Sequence, residues 1–216
     1  GCSGINNGFI RHCPQTAMAS PAICLVSALP AEGRPVKNHL ALRRDQQATE
    51  FPLYRSGHIS LVISGVGGRA AEKAVHWLAA RQQKAINPIW VNLGIAGHPT
   101  RPLGQAVLAA EIEDEANGHR WHTRLPVNPP CDSARLITLA RANDDYLRDA
   151  LYDMEAAGFY PAARLHTVAE RVQCLKFVSD NQLQPSRQIN AKMVSRLIAG
   201  GLDTLDQLLQ RLMEGR

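Results

Sequence analysis

Two rhythms of apolar and polar positions alternate along the chain. Contiguous apolar runs at 23–28, 59–63, 88–92, 104–111 and 172–178 have the length and density of strands buried on both faces. Residues 51–54 read as a strand paired with 59–63 across the turn Ser56-Gly57-His58, and 135–140 as a further strand. Between these runs the period changes. Residues 70–80 carry a strong helical pattern, and Met154, Ala157, Leu165 and Val168 predict a helix that begins near Asp153. Two amphipathic helices follow at 187–199 and 205–213, separated by Gly200-Gly201, with Asp203 or Thr204 as the cap of the second. Leu205, Leu208, Leu209 and Leu212 form one stripe, which is core or subunit contact.

The segments between these elements are set by prolines and glycines. Leu29-Pro30-Ala31-Glu32-Gly33-Arg34-Pro35 reads as a loop or a broken helix start. Ser64-Gly65-Val66-Gly67-Gly68-Arg69 joins a strand to a helix, an arrangement that aims free backbone N–H groups at an anion or polar ligand, although P-loop and dinucleotide spacings are absent. Gly94 and Gly97 let a backbone approach closely, Pro161 predicts a kink, and Ser179-Asp180-Asn181 reads as a turn closing the 172–178 strand. Residues 1–20 carry little pattern and read as an irregular leader; 21–216 read as a single α/β domain.

Composition narrows the class. The chain has 216 residues, 45% of them hydrophobic and 20% charged, an ordinary balance for one globular domain. A net charge of +5 without a long basic run suits anionic small ligands and gives no nucleic-acid signature. No apolar stretch is long enough to span a bilayer, and no secretory signal precedes the first strand, so a cytoplasmic protein is expected. Five cysteines at irregular spacing read as reduced thiols, with Cys24 and Cys174 buried in strands. His119-x-x-His122 lacks a completing ligand set, so no metal and no cofactor are expected.

The chemistry-bearing residues fall where an open α/β sheet binds ligands, beyond the carboxyl ends of its strands. Glu32 and Arg34 follow the first strand, Glu155 stands near a helix start, and Asp180 lies just past another strand. Carboxylates gathered at one pocket suit cleavage of a bond to an anomeric carbon. Each also has a plainer reading: Asp180 as a turn residue, Glu155 as first-turn helix charge, Glu32 and Arg34 as a solvated ion pair.

Five motifs in order carry a resemblance: Ser27-Ala28-Leu29-Pro30-Ala31-Glu32, Ser64-Gly65-Val66-Gly67, Asn92-Leu93-Gly94-Ile95-Ala96-Gly97, Asp153-Met154-Glu155-Ala156 and Val178-Ser179-Asp180. With them the chain resembles the nucleoside phosphorylase superfamily, nearest its methylthioadenosine/S-adenosylhomocysteine nucleosidase branch. The resemblance implies a three-layer α/β/α sandwich around a twisted mixed sheet, in homodimers or larger homo-oligomers. It implies a small-molecule nucleoside substrate, with Asp180 protonating the departing base and Glu155 with Met154 gripping the ribose hydroxyls. Ser64, Gly65, Ala96 and Gly97 join the substrate site, and Glu32 orients or deprotonates an attacking water. Arg34 and Arg69 stand beside loops that could hold phosphate as a co-substrate, which leaves hydrolysis and phosphorolysis both open. A non-catalytic nucleoside-binding protein on the same scaffold is the alternative. One departure stands out: 139–144, where the nucleosidases carry an aromatic that stacks on adenine, has none.

Overall fold

A computed structural model describes residues 21–82, 85–143 and 145–215; the expected leader at 1–20 lies outside them. The elements follow as β1 (Ile23–Ser27), α1 (Pro30–His39), β2 (Arg43–Arg44), β3 (Leu53–Ser56), β4 (Ile59–Ile63), α2 (Gly68–Arg81) and β5 (Ile89–Gly97). Then come β6 (Ala106–Asp114), β7 (Arg120–His122), β8 (Asp132–Thr138), β9 (Leu151–Asp153), α3 (Ala156–Arg164), β10 (Val172–Asp180), α4 (Ala191–Ala199) and α5 (Leu202–Glu214).

All five apolar runs enter one mixed sheet, as β1, β4, β5, β6 and β10. β1 pairs in parallel with β4 and β5, and β10 in parallel with β5. β6 runs antiparallel to β10, β8 follows β6, and β9 follows β8. Tyr152 of β9 then returns to Gly97 of β5, so these last strands curl into a ring that closes on β5. The C-terminal ends of β1, β5 and β10 therefore lie side by side.

Period-two alternation sends neighbouring strand residues to opposite layers. Cys24 and Val26 face Val75, Leu78 and Phe159 of α2 and α3. Ile23 and Leu25 face Val36, Val194, Leu205 and Leu208 of α1, α4 and α5. Each fully buried side chain of this size contributes ~1.5–3 kcal/mol. Cys24 and Cys174 are buried strand residues, as their setting predicts.

Several boundaries differ from the sequence expectation, four of them near the cavity or in the helices around it. First, 30–39 is a helix despite Pro30, Gly33 and Pro35. Pro30 takes the first helical position, where no N–H is needed. Pro35 removes the donor that Ala31's carbonyl would receive, and Ser195 Oγ of α4 supplies one at 2.7 Å. Gly33 lets the helix ride against β4: a Cβ there would come within 2.4 Å of Ile63 Cδ1.

Second, Asp153 ends a strand, and the helix begins at Ala156 and stops at Arg164. Leu165 and Val168, placed in it by spacing, lie beyond it and are not buried. Third, β10 runs through Asp180, so the turn starts at Asn181, whose Oδ1 accepts from the N–H groups of Leu183 and Gln184. Fourth, α4 starts at Ala191 under an Asn190 cap, and α5 starts at Leu202, ahead of Asp203 and Thr204. The leucine stripe is core, packed on the sheet. Among the described residues no helix is long and apolar enough to cross a membrane.

Candidate active site

A cavity of about 170 Å³ opens where β1, β5 and β10 end beside the start of α3. Glu32, Ala96, Gly97, Met154, Glu155 and Asp180 all line it. The structure thus brings together six of the predicted residues from four separate segments.

Glu32 is held almost entirely by backbone. It sits at the third position of α1 and turns back, so that Oε2 accepts from the N–H groups of Ala28 (2.9 Å) and Leu29 (2.8 Å). Oε1 accepts from Ile95 N–H across the sheet edge at 2.9 Å. Gly94 is required beneath it, because a Cβ there would lie 2.7 Å from Oε1. Burial raises the Glu32 pKa, while the three N–H donors and the Lys176 charge pull the other way. Three of about four carboxylate lone-pair directions are used, which leaves one for a water molecule.

Glu155 is placed by a backbone-to-backbone crossing. Gly158 of α3 touches Gly68 at the start of α2 so closely that a Cβ on Gly158 would lie 2.0 Å from Gly68 O. That approach sets Gly67 N–H on Glu155 Oε1 at 2.9 Å. Burial pushes the Glu155 carboxyl up to about 7; Asp153 adds to the rise, and Lys176 and the Gly67 N–H oppose it.

Beneath Glu155 lies an ion pair that sequence reading missed. Lys176 Nζ meets Asp153 Oδ2 at 2.7 Å, and both side chains are inaccessible to solvent. Asp153 also accepts from Thr138 Oγ1 (2.8 Å) and from Ala156 N–H (3.0 Å), while Thr138 Oγ1 receives Ala157 N–H (3.0 Å). The pair therefore caps α3 and fixes the turn that carries Met154 and Glu155. The Lys176 pKa is raised: the carboxylates of Asp153 and Glu155 outweigh the opposing effect of burial. A signal was present in the sequence, since a lysine inside the apolar run 172–178 requires a buried carboxylate partner.

Asp180 is gripped by side chains. Ser179 Oγ donates to its Oδ1, and the Tyr146 hydroxyl donates to its Oδ2. Gly97 leaves room for both, because a Cβ there would lie 2.6 Å from Asp180 Oδ2 and 2.8 Å from Tyr146 Cε1. Leu139, Ala142 and Asn143 line the cavity, and so does Tyr152 from β9.

The remaining predicted residues are elsewhere. Ser64 and Gly65 build the turn beneath the cavity without lining it. Their N–H groups bond Ser27 O (2.9 Å) and Ala28 O (3.1 Å), and Ser64 Oγ donates to Gly65 O (2.8 Å). Arg34 is exposed in a groove between α1 and α4 with Pro35, His39 and Arg196. Arg69 is exposed on the first turn of α2. Neither arginine is among the residues that line the cavity. Among the described residues no group of three or more His, Cys, Asp or Glu is placed to hold a metal ion.

No family model matches the sequence, and no curated protein matches it. Solved structures do match the fold. A 5′-methylthioadenosine nucleosidase of Arabidopsis thaliana superposes with a TM-score of 0.76 at 18% identity, over 91% of this chain and 97% of that one. A 5′-methylthioadenosine/S-adenosylhomocysteine nucleosidase of Helicobacter pylori, solved with butyl-thio-DADMe-Immucillin-A, gives 0.71 at 8% identity, over 88% and 98%. The corresponding S. pneumoniae nucleosidase, solved with the transition-state inhibitor MT-ImmA, gives 0.66 at 16%, over 88% and 99%. The chain carries the fold of these nucleosidases over nearly its whole described length.

Proposed function

We propose that the protein hydrolyses the N-glycosidic bond of a purine nucleoside, with water as the nucleophile. The observation that carries this reading is the convergence of Glu32, Glu155 and Asp180 on one cavity that no described Arg or Lys side chain lines. Phosphorolysis needs a cationic clamp on the attacking anion, and Arg34 and Arg69 do not line the cavity.

Breaking the bond builds positive charge on the sugar and negative charge on the base. Asp180 delivers a proton to the base as the glycosidic electron pair leaves with it. Glu155 accepts hydrogen bonds from the ribose hydroxyls, and in its ionised form stabilises the cationic sugar. Glu32 orients a water with its remaining lone pair and takes the proton that the water loses. The likeness in fold to methylthioadenosine nucleosidases supports a purine base and a small group at the ribose 5′ position. The motif resemblance supports a homodimer or larger homo-oligomer, which a monomer mass by sedimentation would contradict.

The test is base release from a nucleoside panel with and without inorganic phosphate, with the sugar product identified by chromatography. Free sugar at a rate independent of phosphate is expected. A sugar 1-phosphate, formed only when phosphate is present, would overturn hydrolysis.

A further inference from the structure

Tyr146 lies outside every motif that suggested a site, yet its hydroxyl meets the carboxylate assigned as the acid. It is buried, and it is absent from the cavity lining, which does include Ser179 and Asp180. The phenol therefore bonds Asp180 without lining the cavity itself. Its ring, Gly97 and Asp180 Oδ2 are packed tightly, since a Cβ on Gly97 would lie 3.2 Å from the Tyr146 hydroxyl as well.

The segment around Tyr146 is anchored on several sides. The Tyr152 ring packs edge-on against it with centroids 5.7 Å apart. Tyr152 Oη accepts from Arg148 N–H at 2.9 Å, and Arg148 Nη1 reaches Glu113 Oε1 at 2.8 Å. His98 Nε2 stands 3.3 Å from Asp149 Oδ1, and His98 N–H donates to Asp180 O at 3.0 Å. Neighbours of both the phenol and the acid are thus tied to the same corner of the sheet.

We infer that Tyr146 is a positioning residue for Asp180: its hydroxyl holds Oδ2 away from the cavity, presents Oδ1 to the base and stabilises the carboxylate left after proton transfer. The inference rests on Asp180 being the acid. In the step, the Oδ1–H bond breaks and the proton joins a ring nitrogen of the base. The glycosidic electron pair moves to the base, and the charge left on Asp180 is shared with Oδ2, where the Tyr146 O–H donates. Ser179 Oγ serves Oδ1 in the same way.

Tyr146→Phe keeps the ring in place and removes only the hydroxyl. Base release by this variant is measured against pH, beside Asp180→Asn, on a nucleoside the unmodified protein cleaves. A hydrogen bond to a charged group is worth enough that kcat should fall ~10- to 100-fold, with KM changed less than about twofold. A carboxylate that has lost a donor holds its proton more tightly, so the alkaline limb of kcat should move to higher pH. A role in packing alone would leave that limb where it is. An unshifted limb and undiminished kcat in Tyr146→Phe, beside an inactive Asp180→Asn, overturn this inference alone. An Asp180→Asn protein with full turnover overturns the acid reading, and this inference with it.

Discussion

The two ends of the cavity are built by different means. At the Glu32 end the carboxylate is held by three backbone N–H groups, two from the turn between β1 and α1 and one from β5. At the Asp180 end the carboxylate is held by a neighbouring serine and by a tyrosine from the segment between β8 and β9. Backbone donors are fixed wherever the strands are, whatever the surrounding side chains. Side-chain donors hold only as well as their own segment is anchored. The Glu32 end is therefore fixed by the sheet itself, while the Asp180 end depends on how the segment around Tyr146 is anchored.

The largest effect is expected beneath the half that the backbone builds. Lys176→Met leaves Asp153 as a buried charge without its partner, and such losses cost about 3–5 kcal/mol. Urea unfolding should show a drop of that size, and a drop below about 1 kcal/mol would mean that the α3 turn does not depend on the pair.

Gly94 and Gly97 lie beneath the two carboxylates and separate the two ends by experiment. In Gly94→Ala the new methyl meets a Glu32 carboxylate that backbone donors lock in place, so over-packing of ~1–3 kcal/mol is expected. In Gly97→Ala it meets Asp180 and the Tyr146 ring, which side chains hold and which have more freedom to move. Gly97→Ala should therefore lose less stability while losing base release. Equal losses of stability in the two variants would contradict the distinction.

A further effect is one of pH. The Glu155 carboxyl is raised from its ordinary 4.5 to about 7 by burial. Its contribution to stability is therefore complete below the unfolded value and is lost as pH rises through about 7. Glu155→Gln cannot titrate and should flatten the fall in stability between about pH 5 and about pH 8. Unfolding midpoints at both pH values check this, and an unchanged slope would show that another group is responsible.

The difference between the two ends also decided what could be read from sequence. Glu32, Glu155, Ala96 and Gly97 were legible because backbone turns leave a local record of glycines, prolines and strand ends. The sheet was legible because doubly buried strands read as apolar runs, as at Ile23–Ser27 and Ile59–Ile63. The helix α1 was obscured because Ser195, distant in sequence, satisfies the carbonyl that Pro35 orphans. Tyr146 left no signal, since nothing near it in sequence marks a residue that reaches a strand end across the fold. Lys176 did leave one, a cation inside an apolar run, but its partner Asp153 stood in a motif that already had a reading.

Asp180 is proposed to supply the proton to the departing base. Asp180→Asn preserves shape and a hydrogen-bond donor and removes that proton. On a nucleoside cleaved by the unmodified protein, single-turnover base release should fall about a hundred- to ten-thousandfold while the nucleoside still binds. Base release at the unmodified rate, with binding intact, would contradict the account.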